Sequence, residues 1–405
     1  MGSSRRPLEG VFVLLPLPTN TNQQIDFDLL RNNITYLSDS GVQGVIALGS
    51  MGEFYSVTSK EFDNVVDVVV DSTRDKIASV IGCSYQNFNE CVRRTKYAEN
   101  AGADTIWMAE HLGYREASVS CMAFLLKTKK AMVIPTAIMP YIWHPMPTAM
   151  QFATMAEAAP GRVGICVSIG NILNLRESGI EKPQKPVRVI REYVEVLRAL
   201  WAGEKVEQDG LIWQLRGARL AFTPPKPIPI FVASTGPQVL SLAGKIADGV
   251  LFSGGLSIEY TKRCVGFVNE GLKKNSRDPG KLRKAGFVYF SCSRDGLTAL
   301  EANRRKIAFL FRNSTQADNI SSVGIPIDHK GIIELVRQRK LEEAAQLVPL
   351  EAVQKFTVAG TPEECRHGLQ AYIEAGVEEP VIEVSGTEEE KTLALEVIRE
   401  FTSGR

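Results

Sequence analysis

Short apolar runs recur along the chain, and most of them precede a stretch in which apolar residues return with helical spacing. The ten runs begin near Val11, Gln43, Lys76, Asp104, Ala131, Arg162, Ile228, Asp248, Phe287 and Pro380. Runs of this kind are typical of buried strands, and their alternation with helices predicts a parallel sheet covered by helices. In a chain of 405 residues this favours an α/β fold, a (β/α)8 TIM barrel, with a doubly wound open sheet as the alternative.

Ten strands exceed the eight of such a barrel, so two strand–helix units are surplus. The runs from Lys76 onward number eight, which predicts a barrel over 76–405 and an N-terminal βαβα extension over 1–75. The alternative is that the first two strands enter the barrel and displace two others. Two irregular regions, about 170–227 and 296–375, interrupt the alternation, and insertions of this kind usually form walls of the active site.

The stretch 227–252 has the most informative local pattern. An apolar run at 228–233 breaks at Ser-Thr-Gly-Pro (234–237), and a helical pattern and a second apolar run at 250–252 follow. Strand, turn, helix and strand form a βαβ unit whose turn directs free N–H groups and a hydroxyl pair above the strand end. Such a turn is a seat for phosphate, although Gly236-Pro237 is also a common way to begin a helix.

Composition excludes several classes of function. With 47 basic and 46 acidic residues, the chain gives no indication of a nucleic-acid or anionic-membrane partner. No apolar run could span a bilayer, and seven cysteines without a Cys-x-x-Cys pair favour a reducing cytoplasm. Four histidines without ligand spacing predict no metal site, and neither a Rossmann glycine motif nor a P-loop is present.

Residues 8–110 resemble the dihydrodipicolinate synthase and N-acetylneuraminate lyase family. In that family the second strand ends in a Gly-Thr-Thr-Gly-Glu-like turn that holds a 2-oxo acid carboxylate, and here the turn reads Gly-Ser-Met-Gly-Glu. Ser50 and Glu53 are therefore candidate substrate-binding residues. The family's Schiff-base lysine is missing from the sixth run, 162–168, so a lyase or aldolase lacks its nucleophile. The matching pieces are Gly10-Val11, Pro16, Ile25-Asp26-Phe27, residues 44–54 and residues 97–104.

Residues 76–400 resemble the bacterial luciferase-like superfamily, and within it the F-420-dependent methylenetetrahydromethanopterin reductases. The order and spacing of the pieces agree over most of this span. Two resemblances in one chain indicate a natural fusion or a recombined chain. The pieces are residues 107–111, His144-Pro145, residues 159–164, Gly179-Ile180-Glu181, Lys185-Pro186, residues 192–200, Gly203-Glu204 and residues 227–252.

The second resemblance implies a deazaflavin, coenzyme F-420, or alternatively FMN, at the carboxyl ends of the strands. The cofactor phosphate would lie at the 234–238 turn, and a glycine-rich loop would approach the planar ring after the 162–168 run. The strand end at 136–138 carries, in the family, a bulge with a non-prolyl cis peptide beneath the ring. The cofactor-binding residues so implied are Thr136, Ala137, Ile138, Ser168, Gly170, Asn171, Ser234, Thr235, Gly236 and Gln238.

Glu110 and His111 are the candidate acid–base pair, because the family usually has Asp-His at this strand end. A carboxylate beside an imidazole can fix its tautomer and relay a proton. Alternatively, His111 only bonds a backbone carbonyl. The reductases also carry an acidic residue at the end of their first barrel strand, where this chain has Gly82-Cys83-Ser84-Tyr85. Methylenetetrahydromethanopterin itself is therefore not the expected substrate, unless Glu53 compensates for the missing carboxylate.

These observations predict an oxidoreductase that transfers a hydride between F-420 and a small organic substrate. The nearest alternative is an FMN-dependent monooxygenase of the same superfamily. A 2-oxo acid lyase or aldolase, or a catalytically inactive fusion, is the second alternative. Related barrels commonly pair, which predicts a homodimer, and no metal is expected.

Overall fold

The computed structural model describes residues 11–20, 22–49, 56–83, 85, 88–103, 105–110, 112–113, 115–170, 172–181 and 185–403. Strands and helices alternate along most of this part of the chain. The strands are β1 (Phe12–Leu14), β2 (Gly44–Ala47), β3 (Ala78–Ile81), β4 (Thr105–Ala109), β5 (Met132–Ile138), β6 (Ile165–Val167), β7 (Val206–Asp209), β8 (Gln214–Ala218), β9 (Ile230–Ala233), β10 (Gly249–Phe252), β11 (Arg283–Cys292), β12 (Val358–Gly360) and β13 (Glu379–Val384).

The helices follow the strands as the sequence pattern predicts, with a dense group of short helices after β11. They are α1 (Phe27–Asp39), α2 (Ser59–Thr73), α3 (Phe88–Ala101), α4 (Ala117–Lys127), α5 (Pro145–Ala158), α6 (Ile172–Glu177), α7 (Pro186–Trp201), α8 (Pro237–Ile246), α9 (Ile258–Lys274), α10 (Leu297–Phe311), α11 (Ala317–Ser321), α12 (His329–Arg337), α13 (Leu341–Gln346), α14 (Leu350–Phe356), α15 (Pro362–Glu374) and α16 (Glu388–Ser403).

Local sequence signals set where several helices begin. Thr58 caps α2 and Thr361 caps α15, and in each case the glutamate three residues later accepts a hydrogen bond from the N–H of the capping threonine at 2.8 Å. This reciprocal arrangement satisfies two N–H groups that a helix leaves unpaired at its start. Pro237 opens α8 in another common way, because the first helical position needs no N–H donor.

Ten parallel strands of the described chain close into a ring, so the predicted α/β barrel is confirmed. Their order is β1-β2-β3-β4-β5-β6-β9-β10-β11-β13, and β13 returns to β1. The strand β12 pairs only with the protruding end of β11, and β7 and β8 form a separate antiparallel hairpin. All ten carboxyl ends therefore lie at one edge of the ring.

The two N-terminal strands lie inside the ring, which corrects the preferred prediction of an extension outside an eight-stranded barrel. Phe12 pairs with Gly44 on one side and with Val381 on the other. They displace no strand and add two to the eight. Val13 is fully buried under the helices and Phe12 is 5% exposed on the opposite face, and a strand that is apolar on both faces suits the interior of a parallel sheet. A domain boundary near residue 75 stays a prediction.

The buried cation Arg94 on α3 ties the N-terminal units to the rest of the barrel. Its side chain is fully buried, its Nη2 donates to the Val57 carbonyl at 2.9 Å and its Nε donates to Glu90 at 3.0 Å. The guanidinium also lies 4.6 Å from the ring centre of Phe62 and 3.9 Å from that of Tyr85. One side chain thus joins α3 to α2 and to the segment before it.

Replacing Arg94 with alanine is therefore expected to destabilise the protein by about 3–5 kcal/mol, because it breaks a buried, hydrogen-bonded charge pair. The midpoint of urea unfolding measures the change. Arg366→Ala is the matched control, since Arg366 pairs with Glu400 at the surface and should cost less than about 1 kcal/mol. Equal losses in the two variants would contradict the assigned role of Arg94.

Candidate functional site

Four neighbouring strand ends carry most of the predicted site residues. In the ring β4 lies next to β5, β5 next to β6, and β6 next to β9. Because all these strands are parallel, the residues that follow them meet at one edge. The structure thereby brings together Glu110, the strand end at 136–138, Ser168 with Gly170, and the turn at 234–238.

The end of β5 is irregular, as the family resemblance implies. The peptide between Thr136 and Ala137 is cis, and the register against β6 shifts between Thr136 and Ile138. The backbone on both sides is held by hydrogen bonds. The Glu110 N–H donates to the Thr136 carbonyl at 2.7 Å, and the Ser168 N–H donates to the Ile138 carbonyl at 3.1 Å. The bulge is thus fixed between β4 and β6.

The ends of β6 and β9 carry the same small turn, Ser-x-Gly. The Ser168 hydroxyl accepts from the Gly170 N–H at 3.2 Å, and the Ser234 hydroxyl accepts from the Gly236 N–H at 3.1 Å. Gly170 has a φ of +83°, and a Cβ there would lie 2.3 Å from the Met139 sulfur. Glycine is therefore required at this position. The two turns thus place a hydroxyl at each of two neighbouring strand ends.

The helix α8 begins at this edge without a side-chain cap. Its N-cap residue is Gly236, no side chain accepts a hydrogen bond from the first turn, and Pro237 has no N–H. Gln238 and Val239 lie in the first turn of the helix, and the N–H groups of this turn have no acceptor within the helix. Gln238 is exposed. Uncapped N–H groups at the positive end of a helix form a site for an anion, so the residues present fit a cofactor phosphate.

The peptide of Thr235 is turned away from this anion site. Its carbonyl accepts from the Tyr260 hydroxyl at 3.1 Å and from the Cys264 thiol at 3.7 Å, both on α9. Burial raises the pKa of Cys264 to about 12, so its thiol stays protonated and can donate. Because α9 binds the carbonyl oxygen of Thr235, this oxygen does not oppose a bound anion.

Glu110 is a buried carboxyl directly after β4. It is 9% exposed, its Oε2 accepts from the Ala117 N–H at 2.8 Å, and its Oε1 accepts from the Trp143 indole N–H at 3.3 Å. Burial raises its pKa, while the Ala117 N–H opposes that shift. The carboxyl therefore binds its proton more readily than an exposed glutamate would, which suits a group that exchanges a proton near the ring edge.

Four of the predicted residues, Ser50, Glu53, His111 and Asn171, lie outside the described residues. Their pairing and their predicted roles in substrate or cofactor binding stay predictions. The lyase reading depends on the turn that holds Ser50 and Glu53. Its missing lysine is a property of the sequence, since β6 reads Ile-Cys-Val.

One polar cluster at the same edge escaped the sequence patterns. Lys306 on α10 forms an ion pair with Glu383, donates to the Ser385 hydroxyl at 3.1 Å, and lies 4.9 Å from the ring centre of Tyr289. Tyr289 on β11 is the register partner of Glu383 on β13. One signal of this cluster is visible in the sequence, the glutamate Glu383 within the apolar run that begins near Pro380. Its partner Lys306 could not be identified, because it lies in the insertion at about 296–375.

Two features are absent from the described residues. No helix among the described residues combines the length and the apolar character that crossing a membrane needs. In the same part of the chain, no three His, Cys, Asp or Glu side chains group together as a metal ion would require.

The fold and this edge define an α/β barrel whose candidate cofactor site lies at the carboxyl ends of its strands. The chain belongs to the luciferase-like monooxygenase family, which it matches over residues 69–379. Residues 7–110 also match the dihydrodipicolinate synthetase family. Both resemblances seen in the sequence are thereby confirmed.

The chain is also similar to individual curated relatives and solved structures. An F420-dependent glucose-6-phosphate dehydrogenase of Microbacterium testaceum (strain StLB037) is 27% identical over 320 residues, which cover 76% of this chain and 90% of that protein. The coenzyme F420-dependent tetrahydromethanopterin reductase from Methanopyrus kandleri has a TM-score of 0.62 at 24% identity, covering 80% of this chain and 98% of its own. An F420-dependent secondary alcohol dehydrogenase, solved with an F420–acetone adduct, has a TM-score of 0.57 at 23% identity, covering 80% and 97%. The two structural likenesses concern the fold.

Proposed function

We propose that this protein is an oxidoreductase that transfers a hydride between coenzyme F-420 and a small organic substrate. The observation that carries the proposal is the uncapped start of α8 beside two Ser-x-Gly turns, at the same edge as a buried carboxyl. The relative from Microbacterium testaceum is named as F420-dependent, which supports the deazaflavin over other carriers.

The site residues of this chain have two roles, binding of the coenzyme and transfer of a proton. The coenzyme, when bound, supplies the hydride chemistry. The N–H groups that open α8 and the hydroxyl of Ser234 hold its phosphate, and Ser168 with the 136–138 strand end orient its planar part. Glu110 holds the proton that must accompany the hydride at one of its two carboxyl oxygens.

FMN is the alternative carrier, because the family that the chain matches is described as monooxygenases. The same uncapped turn would bind the FMN phosphate, so the site alone favours neither carrier. The lyase alternative has weaker support, since β6 has no amine nucleophile. A homodimer and a cytoplasmic location stay predictions.

Titration of the purified protein with oxidised F-420 and with FMN tests the proposal. We expect micromolar or tighter binding of F-420, because a phosphate at an uncapped helix start gains charge-assisted hydrogen bonds. Fluorescence change on binding measures both affinities. Tight binding of FMN without binding of F-420 would favour an FMN-dependent monooxygenase. If neither cofactor binds, the proposal is wrong.

A second measurement addresses the lyase. Borohydride treatment in the presence of pyruvate traps a Schiff base as a stable adduct. We expect no gain in protein mass. An adduct on a lysine of the chain would favour the lyase.

A further inference from the structure

The carboxyl group of Glu110 has two hydrogen-bond donors of different kinds. Its Oε2 accepts from the backbone N–H of Ala117 at 2.8 Å, and its Oε1 accepts from the indole N–H of Trp143 at 3.3 Å. The first donor belongs to the opening turn of α4, so it cannot move unless the helix moves. The second donor belongs to a side chain that has its own rotamers. The two carboxyl oxygens are therefore not equivalent.

A tight turn after β5 fixes the backbone of Trp143. The N–H groups of Ile142 and Trp143 both donate to the Met139 carbonyl, at 2.9 Å and 3.0 Å. The next residue, His144, caps α5, because its Nδ1 accepts from the Met146 N–H at 3.1 Å. The indole ring itself is half-buried and packs against the core. The turn, the start of α5 and the core thus set the position of the indole N–H.

Glu110 is attached to the segment 136–143 at two places. Its backbone N–H donates to the Thr136 carbonyl at 2.7 Å, and its side chain accepts from Trp143 at the other end of the segment. The register shift between β5 and β6 lies between these two attachments. Glutamate has several rotatable bonds, so a single donor would leave its carboxyl more than one orientation. Donors on two different elements restrict it to one.

The unequal donors determine which oxygen of Glu110 takes a proton. A carboxyl oxygen that carries a proton is a weaker acceptor, so protonation costs least at the oxygen with the weaker hydrogen bond. The 3.3 Å contact of Oε1 with Trp143 is longer than most N–H···O bonds, whereas the 2.8 Å contact of Oε2 with Ala117 is short. The proton therefore lies on Oε1, beside the indole.

The surroundings of the carboxyl favour the protonated form. Burial, the largest effect, raises the pKa of Glu110, and the carboxylate of Glu116 raises it further. The N–H groups of Ala117 and Trp143 lower this pKa, the indole less than the backbone. Burial also raises the pKa of the Cys121 thiol on α4 well above its ordinary value, so Cys121 stays neutral.

One further titratable group lies in the turn itself. Burial lowers the pKa of His144, which follows Trp143, so this imidazole is neutral at neutral pH. His144, Glu116 and Cys121 are all retained in the variants described below. Their contributions are therefore common to every protein in the comparison.

We propose that Trp143 is a positioning residue for proton transfer, whose indole N–H fixes the orientation of Glu110 and makes Oε1 the oxygen that holds the exchangeable proton. Trp143 acts through Glu110 and needs no contact of its own with coenzyme or substrate. Its part in catalysis rests on the proposed function, whereas its effect on Glu110 is a property of the protein alone.

The pH dependence of tryptophan fluorescence tests this contact in the full-length protein without coenzyme. A carboxyl and a carboxylate quench a neighbouring indole to different extents, so the wild type should show a step in fluorescence where Glu110 titrates. The step should be absent from Trp143→Phe, which keeps an aromatic ring without the N–H donor. It should also be absent from Glu110→Gln, which keeps the indole. A wild type without the step would overturn the proposal.

Trp201→Phe is the matched control for this measurement. The indole N–H of Trp201 donates to the Ala149 carbonyl at 3.0 Å, so the same substitution removes one indole hydrogen bond elsewhere on α5. The fluorescence step should remain in this variant. Should Trp143→Phe fail to fold, Trp143→Tyr takes its place, because it also removes the indole. A step that survives the loss of Trp143 would overturn the proposal.

The pH dependence of stability gives a second readout that a mere packing role would not move. The indole N–H lowers the folded-state pKa of Glu110, so this pKa should rise in Trp143→Phe. The stabilisation by the bound proton is lost as pH rises through the folded pKa, so its loss should occur at higher pH, by about one pH unit or less. Urea unfolding at a series of pH values measures this midpoint, which Trp201→Phe should leave unchanged. An unchanged midpoint in Trp143→Phe would make Trp143 a packing residue.

The positioning role and the proposed function fail separately. In an active enzyme, Trp143→Phe should lower kcat about three- to tenfold with little change in KM, the effect of one hydrogen bond. A fluorescence step that depends on both residues in a protein that binds no F-420 would remove only the link to hydride transfer. Binding of F-420 together with a step that ignores Trp143 would leave the oxidoreductase and exclude Trp143 as a positioning residue.

Discussion

Glu110→Gln is expected to lower kcat for hydride transfer by about 10²- to 10⁴-fold, because the amide can no longer exchange a proton at the ring edge. The assay follows the absorbance of F-420 with the small organic hydride donor that the wild-type protein turns over fastest. KM should change far less, since the amide is nearly isosteric with the carboxyl. A pH–kcat limb present in the wild type should be absent from the variant.

The geometry of Glu110 makes this substitution informative. Both carboxyl oxygens accept N–H donors, from Ala117 and from Trp143. Glutamine keeps one of these acceptors and loses the other, so a stability cost of about 1–3 kcal/mol is expected as well. A stability cost without a change in kcat would make Glu110 a cap of α4 and not a catalytic group.

Glu116→Gln is the control for that distinction. Glu116 also caps α4, where its carboxylate accepts from the N–H groups of Ser118 and Val119. The same substitution six residues away therefore removes a similar cap from the same helix end. We expect a comparable loss of stability and a kcat within about threefold of the wild type, since surface caps contribute to folding and not to proton transfer.

The pH dependence of stability offers a readout of Glu110 that needs no substrate. Burial raises its folded-state pKa, so the folded protein binds this proton more tightly than the unfolded chain does. The resulting stabilisation is complete below the unfolded pKa and is lost as pH rises through the folded pKa. In Glu110→Gln this part of the pH profile should be flat. An unchanged profile would contradict the raised pKa.

The sequence predicted features that depend on neighbours in the chain. Periodicity placed the strand ends, and the Ser-Thr-Gly-Pro turn predicted the start of α8, because these choices are local. The two N-terminal strands were misplaced, because the pairing of β1 with β13 joins opposite ends of the chain. The Lys306–Glu383 pair likewise depends on ring closure, which no local pattern encodes.

Gly236→Asp is expected to lower the affinity for F-420 by about 10- to 100-fold. This factor corresponds to the loss of one or more charge-assisted hydrogen bonds to the phosphate. The new carboxylate would occupy the N-cap of α8. It would accept hydrogen bonds from the N–H groups that otherwise donate to the anion. Fluorescence titration measures the affinity, and thermal unfolding measures the stability of each variant.

The two readouts should move in opposite directions. Aspartate is a better N-cap than glycine, so Gly236→Asp should raise stability by a few tenths of a kcal/mol while it weakens F-420 binding. Gly236→Ala isolates the effect of charge. The φ of −78° at this residue suits alanine, and a Cβ would lie 3.8 Å from the Ser234 hydroxyl, so F-420 affinity should stay within about threefold. If the turn only begins a helix, aspartate would stabilise α8 and leave F-420 binding as it is in the alanine variant. A gain in the stability of Gly236→Asp together with a loss of its affinity for F-420 therefore indicates that the start of α8 binds an anion.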